Sequence, residues 1–98
     1  MGTLHYYFAD GRYDTARADA APQLSDLQEF VSGYVEVVWV LFRGKRAAML
    51  VNEDGHRLGL PFNTRGTEIY HEVARQRGLC NPNPILGNAL VLEDIELK

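Results

Sequence analysis

The chain has a single cysteine, Cys80, among its 98 residues. One thiol cannot close an intramolecular disulfide, so a disulfide framework is excluded. Cys80 sits in an Asn/Pro loop with no basic helix start beside it, and it reads as an incidental thiol rather than a nucleophile. No apolar run approaches the ~20 residues that span a bilayer as a helix, so no membrane span is expected. The opening Met-Gly-Thr-Leu-His-Tyr-Tyr lacks the basic region and long apolar core of a signal peptide. Gly2 begins no myristoylation signal, because Tyr6 stands where Ser or Thr is required. A cytoplasmic setting is therefore expected. Also missing are a Gly-rich phosphate loop, Gly-x-Ser-x-Gly, Cys-x-x-Cys and His-Glu-x-x-His. No catalytic residue, metal ligand set or cofactor is assigned, and the chain reads as a non-enzyme.

What is present is ordinary globular composition, 46% hydrophobic and 23% charged, at a length that fits one domain over residues 1–98. The net charge of −3 is unevenly spread. The first third and the C-terminal end are acidic, whereas residues 37–78 carry a surplus of arginine. That surplus reads either as self-complementary surface charge or as a local anion site.

The most apolar, most β-branched stretch runs from Tyr34 to Asn52 and reads as a hairpin. Tyr34 to Phe42 forms one strand, Gly44-Lys45 a two-residue turn with Gly first, and Ala47 to Val51 the return strand. Val35, Val37, Trp39 and Leu41 face one way, and Tyr34, Glu36, Val38, Val40 and Phe42 the other. Both sets are apolar, which predicts a central strand covered on both sides.

Other elements follow from local signals. Leu4 to Ala9 reads as a strand, and Arg12 to Ala21 as an edge strand or loop. Ser25-Asp26-Leu27-Gln28 has the capping-box pattern, predicting a helix over Asp26–Ser32 that ends at Gly33. Asn52-Glu53-Asp54-Gly55 reads as a turn and Arg57 to Leu60 as a short strand. Asn63 or Thr64 caps a second helix over Arg65–Arg77, with Ile69, Tyr70, Val73 and Ala74 facing inward. Asn81-Pro82-Asn83-Pro84 is a loop, and Ile85 to Leu92 a last strand interrupted at Gly87-Asn88. The expected fold is α+β, a mostly antiparallel sheet of four to five strands with two helices on one face. The other face would then need a second copy of the chain, or a partner, to cover it.

Few side chains suggest a site. Glu68 and His71 share a helical face, but a single pair does not make a di-metal bundle. Glu36, mid-strand among apolar neighbours, is either paired structurally or a polar anchor for a ligand. Asn52, Glu53, Asn63 and Asn88 lie at element ends, where cap and turn chemistry competes with a role in binding. Arg43, Lys45, Arg46, Arg57 and Arg65 could line a basic edge for nucleic acid, a reading that the net acidity disfavours.

Four segments in series resemble an uncharacterised family of small proteins common in bacteriophages, plasmids and actinobacterial mobile elements. They are Leu27-Gln-Glu-Phe-Val-Ser-Gly33-Tyr34-Val-Glu36-Val, Leu50-Val-Asn52-Glu53-Asp54-Gly55, Leu60-Pro61-Phe62-Asn63-Thr64 and Pro84-Ile85-Leu86-Gly87-Asn88. Together they cover about Leu24 to Leu92. The family pattern carries a second Gly where Ser32 stands, and an Ala-type residue at or near Gly66. The resemblance implies a genomic setting and no catalytic residue, cofactor or substrate. The combined reading is a small binding or accessory module that self-associates as a homodimer. Its expected ligand contacts are Glu36, Asn52, Glu53, Asn63 and Asn88, with Arg57 and Arg65 for an anionic ligand. The alternatives are sequestration of a signalling nucleotide or other small anion, a host-protein partner, and nucleic-acid binding.

Overall fold

A computed structural model describes residues 2–80 and 82–97. Asn81 of the expected Asn/Pro loop, with Met1 and Lys98, lies outside them. The elements in chain order are β1 (Gly2–Tyr7), β2 (Tyr13–Ala18), α1 (Leu24–Val31), β3 (Val35–Phe42), β4 (Lys45–Asn52), α2 (Gly55–Leu58), α3 (Thr64–Gln76) and β5 (Ala89–Glu93). The strands form one five-stranded antiparallel sheet in the order β2-β1-β5-β4-β3. The α+β class and the antiparallel sheet agree with the sequence reading.

The sheet's centre is β4 and β5, not β3. Along β4, Ala47 to Asn52 are all buried, and Ala89 to Leu92 match them in β5, where Leu50 pairs with Leu90. Alternation sends Met49 and Val51 to one face and Ala48 and Leu50 to the other, so this strand carries the two-sided core expected of its neighbour. β3 is an edge strand. Its Val37 and Trp39 remain 38% exposed, and the Arg46 guanidinium lies 4.3 Å above the Trp39 ring, shielding one side of it. The two-sided apolar pattern of β3 does not distinguish an edge strand from a central one when a cation covers the surplus ring.

The helices occupy opposite faces, which corrects the expectation of two helices on one face. Leu27 of α1 packs with Leu4, Ala48, Leu50, Leu90 and Leu92, while Ile69 and Val73 of α3 pack with Met49, Val51, Ala89 and Val91. Ile95 and Leu97 join the α1 side. The face reserved in the sequence reading for a second copy is thus covered by the chain itself.

Local details differ in instructive ways. The β3–β4 turn is Arg43-Gly44, with φ of 53° and 80°, rather than Gly44-Lys45. Two positive φ values suit a turn that matches the right-handed twist of the strands, and they bring an arginine into the left-handed region at the tip. Helix α1 starts at Leu24 with Gln23 at its N-cap and no side-chain cap bond, so Ser25 lies inside the helix and not at its cap. Ser32 takes the left-handed C-cap, at φ 66°, and Gly33 follows at φ 158°. Arg57 to Leu60 is not a strand. Gly55–Leu58 make one helical turn, closed by Leu58 N–H donating to the Asp54 carbonyl and by Gly59 at φ 66°. The last strand shortens to Ala89–Glu93, because Gly87 turns the chain at φ 87° and Leu86 bridges to Phe62 instead.

Candidate functional site

Three of the expected ligand-binding residues are asparagines that tie elements together. Asn52 donates to the Val31 carbonyl at the end of α1 and accepts from the Asp54 amide. Asn63 accepts from the Gly66 amide as the N-cap of α3 and donates to the carbonyls of Tyr7 and Gly87. Asn88 accepts from the Ala9 amide and donates to the Phe30 carbonyl. Every one of these bonds joins parts of the chain to each other. Glu36 is exposed on the edge strand and lines a cavity of about 170 Å³ with Asn52, Glu53, His56 and Tyr70. Arg57 lies on α2 at that end of the molecule, paired with Asp54 at 3.0 Å. Arg65 lies in the first turn of α3, two residues past the Asn63 cap, and does not line that cavity. The expected set therefore divides between two ends of the molecule.

The end that holds Arg65 has the larger opening. Helix α3 covers the β3–β4 side of its face, and the first turn of α3, the β3–β4 tip and the β1–β2 ribbon enclose a groove beside it. It comprises two adjoining cavities of about 610 Å³ and 530 Å³, and Tyr7, Arg43, Thr64, Arg65 and Glu68 line both. Volumes of this size suit a small molecule. The β1–β2 register sets Tyr7 opposite Tyr13, and their rings stack at 5.0 Å between centroids. Tyr13 is half exposed, so the stack presents an aromatic surface to the groove.

The charge in the groove is mostly positive. Arg43 reaches Glu93 only at 3.7 Å, and Arg65 reaches Glu68 at 3.4 Å, so both guanidinium groups keep most of their donors free. They are 67% and 58% exposed. Arg12 adds a third guanidinium, 4.3 Å above the Phe8 ring and bonded to Asp10 at 2.8 Å. The Arg12 backbone amide, and then its guanidinium, hold the Asp10 carboxyl below the usual carboxylate range. Burial pushes the Tyr7 hydroxyl above its ordinary value of 10.0 and the neighbouring Tyr13 adds to this, while Arg65 and Arg43 pull it part of the way back.

Behind Tyr13 lies a polar chain. His5, 2% exposed, places Nε2 at 2.8 Å from the Glu93 carboxylate and Nδ1 at 2.8 Å from the Tyr13 hydroxyl. Tyr7, Tyr13 and Phe42 surround the imidazole. Both ring nitrogens are engaged and sealed from the groove, so the histidine orients Tyr13 and does not itself meet a ligand. On the far side of the groove, the Nε2 of His71 is buried without a hydrogen-bond partner among the described residues.

Sequence reasoning singled out Arg65 and missed Tyr7, Tyr13 and His5. Alternation alone puts His5 and Tyr7 on one face of β1, but only the pairing with β2 adds Tyr13, and only the sheet order adds Glu93. The basic residues do not form one strip. Arg43 and Arg65 line the groove, Arg46 covers Trp39, Lys45 faces Asp94 at 3.6 Å, and Arg57 lies at the other end of β4. Among the described residues no group of three His, Cys, Asp or Glu side chains comes together, and no helix is long and apolar enough to cross a membrane.

The chain belongs to the family described as domain of unknown function DUF3846, whose model matches residues 7–96. No curated protein and no solved structure matches it.

Proposed function

We propose that the protein is a non-enzymatic binding module that holds a small anionic ligand in the groove between Tyr13, Arg43 and Arg65. The observation that carries this reading is the convergence of two loosely paired arginines and a stacked tyrosine pair on one opening. Arginine forks suit phosphate or carboxylate, and an exposed tyrosine face suits a planar ring. Binding rather than turnover is favoured because the His5 imidazole is sealed behind Tyr13 and the His71 Nε2 on the far side of the groove is itself buried. The resemblance to phage and mobile-element proteins supports an accessory role, for which capture of a signalling nucleotide is one use of such a groove. Calorimetric titration with nucleoside monophosphates tests it. The wild-type chain is expected to bind, and Arg43→Ala with Arg65→Ala together to weaken affinity roughly a hundredfold or more, since each arginine–phosphate contact contributes about 1.5–3 kcal/mol. Equal affinity in wild type and double variant would remove the reading.

A second reading, self-association, is favoured by the edge position of β3. Among the described residues no strand pairs with its outer edge over Val35–Phe42, and Val37 and Trp39 are partly exposed. An apolar edge of this length invites a second strand. Sedimentation should give a dimer mass that Val37→Lys reduces to a monomer, whereas a wild-type monomer at high concentration would count against it.

A further inference from the structure

We infer that Tyr13 makes the groove selective for phosphate-bearing ligands whose aromatic ring carries an amine donor. This rests on the reading of the groove as an anion site. The Glu93 carboxylate can only accept a hydrogen bond. His5 Nε2 therefore carries the proton it shares with Glu93 at 2.8 Å. In the neutral imidazole the other nitrogen, Nδ1, is then a lone pair. The Tyr13 hydroxyl lies 2.8 Å from it and, with the imidazole neutral, donates inward. Its proton is then committed to the core, and the oxygen of this half-exposed, cavity-lining residue keeps only lone pairs to offer a ligand.

The other charged groups of that cavity do the opposite. Arg12, Arg43 and Arg65 only donate, and Glu68, the single carboxylate among the described lining residues, is turned to Arg65. An anion is served by the arginines, and Tyr13 is left to meet a donor. A ring stacked on the exposed face of Tyr13 with an amine at its rim satisfies both halves. A ring with a bare edge there leaves the Tyr13 oxygen without a ligand partner. The cavity of about 530 Å³ has room for a ring, a sugar and one phosphate. Neither half of this device is visible in a local motif, because Tyr13, His5 and Glu93 come from three different strands.

The test compares adenosine monophosphate with purine riboside monophosphate, which lacks the amine, by calorimetric titration into wild type and Tyr13→Phe. The variant keeps the ring and its stack, and its melting curve checks that it folds. Wild type should prefer the amine-bearing nucleotide about five- to tenfold, the contribution of one hydrogen bond. Tyr13→Phe should bind both nucleotides with one affinity. Equal binding by wild type, or a preference that survives in Tyr13→Phe, overturns the inference while leaving the anion site standing. Failure of both nucleotides to bind wild type overturns the groove reading and this inference with it.

Discussion

Tyr7 shows how one side chain serves both core and groove. It is buried in the α3-side core, stacks on Tyr13, and lines the arginine cavities. Its hydroxyl titrates above 10.0 because of burial first and Tyr13 second. A group whose folded pKa is raised contributes stability that is complete below the unfolded value and lost as pH rises through the folded one. Stability should therefore fall above about pH 10, the ordinary tyrosine range, and Tyr7→Phe should flatten that fall. Denaturant unfolding across the alkaline range checks this. An unchanged slope in Tyr7→Phe would mean that the burial of this hydroxyl does not drive the loss. At this scale the sequence was partly legible: of the two cap candidates, Asn63 and Thr64, the structure uses Asn63. The Tyr7 environment was not, because it depends on Arg65, 58 positions along the chain.

Elements are held to one another by the buried asparagines. Asn63 is 1% exposed and joins α3, the end of β1 and the Gly87 turn through its Oδ1 and Nδ2. Asn63→Ala removes the cap and leaves two carbonyls without their donor, so a loss of roughly 2–4 kcal/mol in unfolding free energy is expected. Urea denaturation measures it, and a loss below about 1 kcal/mol would show that water replaces these bonds. The hairpin and both longer helices were legible from alternation, helical spacing and turn residues. Their precise ends were not. A turn shifted by one residue puts Arg43 at the tip, and the αL cap falls on Ser32 where a glycine was expected. Arg57 to Leu60 illustrates the limit of short apolar patterns: an ion pair from Asp54 to Arg57 and a closing Gly59 favour a helical turn over a strand.

For the whole molecule, sheet order decides where function can reside. Alternation in β3 and β4 is similar in sequence, and only the placement of β5 beside β4 makes β4 central and β3 an edge. With α1 and α3 on opposite faces, the core is closed on both sides and the uncovered ground is the β1–β2 end of the α3 face. That ground gathers Tyr13 from near the N-terminus, Arg43 from the hairpin tip and Arg65 from α3, a set no local window contains. Glu36, expected as a mid-strand carboxylate, and Asn52 and Glu53, expected from loop chemistry, meet instead at a smaller cavity at the other end. The two ends make opposing predictions for one measurement: amide chemical shifts recorded by NMR during a titration with adenosine monophosphate. A ligand in the arginine groove gives saturable shifts at Tyr7, Tyr13, Arg43, Gly44, Arg65 and Gly66, with the Glu36, Asn52 and His56 amides unmoved. Shifts confined to Glu36, Asn52 and His56, or no saturable shifts at all, would contradict the groove reading.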